Sequence, residues 1–405
     1  MTKEWRLARQ GPVRLDTLDK EDPMEITELL AFTLQSKGSD LHLSSGNPPL
    51  LRIAGDLKPL KCDPLTADEV AAMLHSVMSD EQRADYQRDH DLDFAIAFGE
   101  QARFRVNAFT VNRGPAAVFR TIPTAIPSLD ELEAPAIFKQ FAELEKGLVL
   151  VTGPTGSGKS TTLAAMIDHI NRTFHKHILT IEDPVEFVHT SERSLVNHRE
   201  VGKHTQSFGR ALKSALREDP DVILVGEMRD HETISLALTA AETGHLVMGT
   251  LHTGGAAKTI DRIIDVFPGS DKDMVRAMLA GSLQAVISQV LLKRTGGGRV
   301  AAHDILVGTA AVRNLIRENK VPQIASMMQM GSRYGMQTLE DSVKTLIAQG
   351  KIDPAEMDRF MPPGQDRSTG GTSAAPLPAT ASASTEEAPA TPPQPPKRGV
   401  TSLFR

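Results

Sequence analysis

One glycine-rich segment carries residue types suited to binding phosphate. It reads Gly-Pro-Thr-Gly-Ser-Gly-Lys-Ser from Gly153 to Ser160, and it lies between the apolar run Leu148–Val151 and an apolar-periodic segment, Leu163 to Ile170. Glycine adopts dihedral angles closed to other residues, so successive N–H groups can point at one anion. The spacing matches G-x-x-x-x-G-K-[ST]. Its position between a predicted strand and a predicted helix favours a nucleotide-binding loop over a mobile turn.

This loop gives each of its polar groups an expected task. Lys159 supplies positive charge to the phosphates, and the Ser160 hydroxyl is suited to a magnesium ion between the β- and γ-phosphates of ATP. A helix predicted to begin at Thr161 points the positive end of its dipole at the same phosphates. The residues predicted to contact the nucleotide are Gly153, Pro154, Thr155, Gly156, Ser157, Gly158, Lys159, Ser160 and Thr161.

Acidic residues follow two other predicted strands. Glu227 comes after the strand Val222–Val225, and Glu182 ends the strand Ile178–Ile181. Ligands of open α/β sheets bind at the carboxyl ends of the strands, so the two acids are expected to face one cleft. An ATPase needs an acid there to activate the attacking water, and we assign that role to Glu227. Gly226 occupies the position of the usual aspartate, so Ser160, Glu182 and Glu227 are the expected magnesium ligands.

Histidines and arginines surround these acids in the sequence. His245 and His252 lie at the two ends of the predicted strand Leu246–Thr250, and His252 is expected at the nucleotide edge, where an imidazole can donate to a phosphate or sense its loss. Taken singly, such a histidine is more often structural. Arg217 and Arg229 flank Glu227 and could neutralise phosphate or bridge subunits.

Four arginines precede the loop, on a predicted β-meander with strictly alternating apolar residues. Arg103 and Arg105 are two positions apart and should project from one face of a strand. Either these side chains solvate the outer face of a small sheet, or they reach a phosphate on a neighbouring subunit. The set comprises Arg103, Arg105, Arg113 and Arg120.

Composition limits the classes of protein to which the chain can belong. The 405 residues have a net charge of −6, which gives no basic footprint for nucleic acid. The single cysteine, Cys62, excludes a disulfide or four-cysteine zinc site within the chain. No apolar run is long enough for a membrane span, and the N-terminus lacks the apolar core of a signal peptide. We therefore expect a cytoplasmic protein whose membrane contacts come only through partners.

The order of patterns predicts two folded domains and two polar ends. Near-continuous apolar strands alternating with helices after residue 128 indicate a parallel sheet covered on both faces. The segment from Asp271 to Gln349 is predicted to be helical except for a glycine turn and strand near Gly296–Ile305. Residues 362–405 hold nine of the 25 prolines and few large apolar side chains, so we expect a disordered tail.

Several motifs together resemble the PilT family of type IV pilus retraction ATPases, within the type II/IV secretion ATPases. The resemblance covers roughly residues 24–352, outside the leader and the tail. Besides the glycine loop, Gly226-Glu227 and the segment ending at His252, it rests on Thr180-Ile-Glu-Asp-Pro-Val-Glu-Phe187, Ser39-Asp-Leu-His-Leu, Gly297-Gly-Arg-Val-Ala-Ala-His303 and Arg313-Asn-Leu-Ile-Arg-Glu318.

The resemblance implies an architecture and a set of partners. After a flexible leader, 1–23, residues 24–121 would form a PAS-like α+β domain. A linker at 122–128 would join it to a RecA-like α/β ATPase domain with a helical C-terminal part, residues 129–361. Six copies would form a ring that couples ATP hydrolysis to pilus disassembly and twitching. The ring would sit at the inner membrane on a pilus platform protein, with an accessory retraction ATPase as a further partner.

The same resemblance gives the residues their roles and leaves two rivals. Lys159 would bind phosphate, Glu227 would act as the catalytic glutamate, Glu182 would assist at the metal, and the meander arginines would reach a neighbour's nucleotide. One rival is a pilus-assembly or type II secretion ATPase; those enzymes typically carry a four-cysteine zinc element that Cys62 alone cannot form. The other is an accessory nucleotide-binding subunit of the retraction motor.

Overall fold

A computed structural model describes residues 24–53, 55–99, 102–123 and 125–359. The predicted leader 1–23 and the predicted tail 362–405 lie outside these described residues. Among them, the first elements are three helices and six strands. These are α1 (Ile26–Gln35), β1 (Asp40–Ser44), β2 (Leu50–Ile53), β3 (Asp56–Pro59), α2 (Ala67–Val77), α3 (Asp80–Asp89), β4 (Asp91–Phe98), β5 (Ala102–Val111) and β6 (Gly114–Pro123).

The first six strands form one antiparallel sheet in the order β3-β2-β1-β6-β5-β4. The predicted meander is confirmed, because β5 and β6 pair around a tight turn at Asn112 and Arg113. One face is apolar, with Leu41, Phe104 and Phe119 fully buried against the helices. Thr66 caps α2 and accepts a hydrogen bond from the Glu69 amide, as its capping-box sequence predicts. The opposite face of the sheet carries the arginines.

The remaining elements follow residue 136. The helices are α4 (Ile137–Ala142), α5 (Lys159–Thr173), α6 (Phe208–Ala215), α7 (His231–Glu242), α8 (Ala256–Asp265), α9 (Lys272–Ser282), α10 (Ala310–Arg317), α11 (Ile324–Met330) and α12 (Leu339–Ala348). The strands are β7 (Gly147–Thr152), β8 (His177–Glu182), β9 (Leu195–Glu200), β10 (Val222–Val225), β11 (Leu246–Leu251), β12 (Leu283–Lys293) and β13 (Arg299–Val307). Within the described residues, three short 3-10 helices lie at Val321–Gln323, Ser332–Tyr334 and Pro354–Arg359.

The last seven described strands form a second sheet in the order β13-β12-β7-β11-β10-β8-β9. The four strands predicted from apolar runs are all present and parallel, with β7 beside β11, β11 beside β10 and β10 beside β8. Every residue of β7, β10 and β11 is buried, because helices cover both faces of the sheet. The predicted α/β class is therefore confirmed, and the carboxyl ends of these strands share one edge.

The prediction of a largely helical segment from Asp271 to Gln349 is wrong in one part. β12 is an eleven-residue strand that runs parallel to β7, and it forms an antiparallel hairpin with β13. Its sequence is almost continuously apolar and mostly buried, and such a run does not distinguish a buried strand from a buried helix by periodicity. β9 was also not predicted; it pairs with β8 at the opposite edge of the sheet.

None of the helices in the part of the chain that the structure describes is long and apolar enough to cross a bilayer.

Candidate nucleotide-binding and hydrolysis site

The glycine loop follows β7 and ends at the first residue of α5, which begins at Lys159 and not at Thr161 as predicted. Gly153 has a φ of +142°, and a side chain there would approach the Gln289 carbonyl oxygen to 2.3 Å. Gly158 caps the helix in the left-handed region, with a φ of +86°. Both positions therefore require glycine, and the loop folds tightly over the end of the sheet.

The loop has the features of an anion cradle. The first N–H groups of α5 have no partner within the helix and face the loop, as at any helix start. The Ser157 hydroxyl is buried and has no hydrogen-bond partner among the described residues. A triphosphate fits this donor set, because it supplies acceptors for the free amides, the orphaned hydroxyl and a lysine.

Lys159 is held inside the cradle. Its side chain is buried, and Nζ donates to the carbonyl oxygens of Gly153 at 3.0 Å and Pro154 at 3.2 Å. Burial lowers the pKa of Lys159, while the charges of Glu227 and Glu186 oppose that shift. A phosphate at the loop would stabilise the charged ammonium, because it replaces neutral carbonyls with an anion.

Glu227 follows β10 and lies between the side chains of Arg229 and His252. Its Oε2 accepts a hydrogen bond from Arg229 at 2.6 Å, and its Oε1 lies 3.2 Å from Nε2 of His252. Burial acts to raise the pKa of Glu227, but Arg229 and His252 outweigh it, and the pKa is lowered overall. The carboxylate is therefore ionised at neutral pH. His252 follows β11 at the same edge of the sheet as Glu227, whereas Arg217 is exposed on the surface.

Glu182 and Ser160 line one small cavity of about 30 Å³ together with Gly226 and Thr250. The cavity lies where β8 and β10 end side by side. A side chain at Gly226 would approach the Glu182 Cα to 3.2 Å, and the Gly226 amide donates to the Ile181 carbonyl at 2.8 Å. Glycine in place of the usual aspartate is thus a consequence of close strand contact at this point.

The β12–β13 hairpin supports the cradle, which sequence reasoning missed. Gln289 is buried on β12; its Nε2 donates to the Ser157 carbonyl at 2.6 Å, and its Oε1 accepts from the Thr162 hydroxyl at 2.9 Å. Ser288, the preceding residue, accepts from the Gly255 amide at 2.9 Å beyond His252. A signal was present, because these two polar residues interrupt an otherwise apolar run.

A larger cavity of about 250 Å³ adjoins the start of α5. Gly158, Thr161 and Leu291 line it, and His303 closes one side. His303 is buried, which lowers its pKa to about 4 and keeps the ring neutral. The cavity is large enough for a small organic group attached to a phosphate at the loop.

The four predicted arginines lie on the first sheet and its turn. Arg120 Nε donates to Asp40 at 2.8 Å, and Arg105 lies 3.7 Å from Asp93. One Nη of Arg103 is buried without a partner among the described residues. Within those residues, no hydrogen bond or ion pair joins the four arginines to the glycine loop, so the structure does not bring them to the site within one chain.

The predicted magnesium ligands are not a complete metal site by themselves. In the described parts of the chain, no three His, Cys, Asp or Glu side chains are grouped so as to hold a metal. Ser160 and Glu182 share a cavity, and Glu227 follows the adjacent strand. This sparse oxygen set fits magnesium, which usually takes one or two protein ligands and completes its shell with water and substrate phosphates.

Comparison with known proteins places this geometry in a family. The model of the type II/IV secretion system protein family matches residues 24–297. The chain is 59% identical over 329 residues to the type IV pilus retractation ATPase PilT of Pseudomonas aeruginosa, covering 81% of this chain and 96% of that protein. It is 62% identical over 334 residues to a twitching motility protein of Neisseria gonorrhoeae, covering 80% and 89%.

A solved structure agrees with these relatives. The crystal structure of the pilus retraction motor PilT with bound ADP matches with a TM-score of 0.77 and 46% identity, over 84% of this chain and 98% of that one. The chain therefore belongs to the type II/IV secretion system protein family, and within it to the PilT branch.

Proposed function

We propose that this chain is the ATPase of a type IV pilus retraction motor, which couples ATP hydrolysis to pilin disassembly and twitching motility. The observation that carries the proposal is the alignment of Lys159 and Glu227 at one edge of a parallel sheet, with Lys159 in a glycine cradle and Glu227 ionised. The high identity to PilT along most of the chain supplies the biological setting.

The cradle residues bind the triphosphate. Residues 153–161 surround the phosphates, and Lys159 exchanges its two carbonyl partners for phosphate oxygens. The base and sugar enter the larger cavity beside Thr161. Ser160, Glu182 and Glu227 would hold magnesium, which would supply positive charge to the phosphate oxygens.

Glu227 orients and deprotonates the attacking water. Its two oxygens contact Arg229 and His252, and each oxygen keeps a lone pair that can accept a hydrogen bond from the attacking water. The Arg229 side chain is 74% exposed and can move toward the departing phosphate, to which Arg229 and His252 can each donate.

The proposal also includes the assembly of the chain into a ring. Six chains form a ring in the cytoplasm at the inner membrane, bound to the pilus platform protein and, in some states, to an accessory retraction ATPase. The PAS-like N-terminal domain carries Arg103, Arg105, Arg113 and Arg120, at least one of which reaches the nucleotide of a neighbouring subunit. In this arrangement the site is complete only when two subunits close.

Deletion of the gene, followed by complementation, tests the function. We expect deletion to leave cells with surface pili but without twitching, and the wild-type gene to restore twitching while Glu227→Gln does not. Loss of surface pili on deletion would assign the chain to pilus assembly instead. An accessory role would be indicated by purified chain that binds ATP but has no turnover of its own.

A further inference from the structure

Two histidines lie directly behind Glu182, outside every motif that identified the site. His198 is on β9, and His189 is in the loop between β8 and β9. Their rings stack at 5.8 Å with an interplanar angle of 18°. His189 also lines the small cavity that contains Ser160 and Glu182. His189 is therefore part of the wall of the proposed metal site, and His198 stacks against it.

The contacts of His198 determine which ring nitrogen carries its proton. The backbone N–H of His189 lies 3.0 Å from Nε2 of His198 and can only donate, so Nε2 accepts. The His189 carbonyl oxygen is more distant, at 3.4 Å. The neutral ring then has its proton on Nδ1, which donates to the Thr180 hydroxyl at 2.8 Å. A backbone amide thus selects the tautomer of this ring.

The protonated nitrogen of His198 lies near the carboxylate of Glu182. Nδ1 of His198 lies 3.9 Å from Oε1 of Glu182, and the Glu186 amide donates to Oε2 at 3.3 Å. Both side chains are largely buried, with 13% of Glu182 and 15% of His198 exposed. At 3.9 Å the contact with His198 is electrostatic and is not a hydrogen bond. A positive N–H dipole near Oε1 favours the carboxylate orientation seen here.

We propose that His198 is a positioning residue for Glu182: its Nδ1–H, fixed by Thr180 and by the His189 amide, orients the carboxylate toward the metal bound with the nucleotide. The inference rests on the proposed function, in which Glu182 is a metal ligand. Partners of metal ligands fix ligand orientation, and their removal typically weakens metal affinity or activity about 10- to 100-fold.

The test uses two variants that separate the ring nitrogens. Asparagine places an N–H near the position of Nδ1, whereas glutamine reaches the position of Nε2 and leaves Nδ1 without a substitute. The measured quantity is the factor by which Mn²⁺ strengthens ADP binding to the full-length protein. We expect His198→Gln to reduce that factor about 10-fold. We expect His198→Asn to retain most of it, and both variants to bind ADP normally without metal.

A third variant tests the same link without changing the histidine. Thr180→Val removes the acceptor of Nδ1–H at a fully buried position with nearly the same shape, and it should also reduce the Mn²⁺ effect. Equal Mn²⁺ effects in His198→Gln, Thr180→Val and the parent would overturn the proposal. Equal losses in His198→Asn and His198→Gln would do the same, because the ring would then act only by packing.

A Glu182→Gln arm distinguishes failure of this inference from failure of the proposed function. If Glu182→Gln lowers the Mn²⁺ effect and His198→Gln does not, Glu182 is a ligand and His198 does not position it. If Glu182→Gln itself leaves the Mn²⁺ effect unchanged, the proposed metal role of Glu182 is wrong and the positioning role fails with it.

Discussion

The two sheets of this protein differ in how their charged side chains are paired. At the edge of the parallel sheet, Lys159 has two carbonyl partners, and Glu227 has an arginine and a histidine as partners, all within the chain. On the antiparallel sheet, Arg105 lies directly opposite Arg120 across the β5–β6 pair. Like charges in that relation destabilise a sheet. The named charges at the edge of the parallel sheet, the first region, therefore have partners within one chain, whereas the arginines of the antiparallel sheet, the second region, are only partly paired among the described residues.

On the antiparallel sheet, the carboxylate of Asp40 offsets part of the positive charge of the arginines. Asp40 is buried on β1 and lies opposite both Arg52 and Arg120, so one carboxylate serves two guanidinium groups. Arg103 on the same face keeps an unpaired buried Nη, and in the described residues Arg113 has no ion pair. Part of the positive charge on this face therefore has no ion-pair partner among the described residues. The proposed phosphate of a neighbouring subunit would supply one.

Lys159→Ala tests the first region and should have the largest effect. It removes the side-chain cation that is held in the cradle, so we expect ATP turnover to be lost and most nucleotide binding with it. The fold should persist, because burial lowers the pKa of Lys159 and its removal relieves a desolvation cost. Phosphate release, nucleotide affinity and the melting temperature measure these effects; near-normal turnover would contradict the assignment of the loop.

Alanine variants of the four arginines test the second region. An arginine acting in trans contributes about 10³-fold or more to related phosphoryl transfers, so at least one variant should lose turnover on that scale in assembled rings. Arg103→Ala and Arg113→Ala are the cleanest, because they break no ion pair within the described chain. Arg52→Ala is the matched control, since it shares the face and the Asp40 contact but lies outside the predicted set.

Mixed rings show whether such an arginine acts across the interface. Subunits with Glu227→Gln and subunits with the arginine variant should partly restore turnover when combined, because some interfaces then pair an intact arginine with an intact glutamate. If all four alanine variants hydrolyse ATP at the parental rate, the arginines only solvate the sheet, and the comparison between the two regions loses its functional meaning.

Glu227→Gln separates hydrolysis from binding in the first region. The amide preserves shape but cannot accept a proton, so we expect hydrolysis to fall at least ~100-fold while ATP still binds. Nucleotide affinity and single-turnover rates measure the two effects separately. Normal turnover in this variant would move the role of base to Glu182.

The same contrast explains what the sequence could and could not predict. Strands β7, β8, β10 and β11 were predictable because each is a short apolar run bounded by turn residues, and the cradle because its glycine spacing is local. Arg120 and Asp40 are 80 residues apart in the sequence, and Gln289 and Ser157 are 132 apart, so no local sequence pattern predicts these contacts. β12 was misassigned for a different reason: burial on both faces removed the alternation that marks a strand.

The smallest expected effect belongs to Gln289, the residue through which the hairpin supports the cradle. Gln289→Leu leaves the Ser157 carbonyl and the Thr162 hydroxyl without their partner, and an unsatisfied buried polar group costs about 1–3 kcal/mol. We therefore expect a lower melting temperature. If about half of that free-energy cost arises only in the nucleotide-bound form of the loop, nucleotide binding should also weaken roughly 10-fold.

Gln284→Leu is the matched control for this effect. It makes the same substitution near the other end of β12, where the side chain contacts Lys146 and Arg313 instead of the cradle. If both variants lose stability but only Gln289→Leu loses nucleotide affinity, the hairpin preorganises the loop. If the two variants behave alike, the hairpin is not needed for the shape of the cradle. The glycines and Lys159 alone then maintain it.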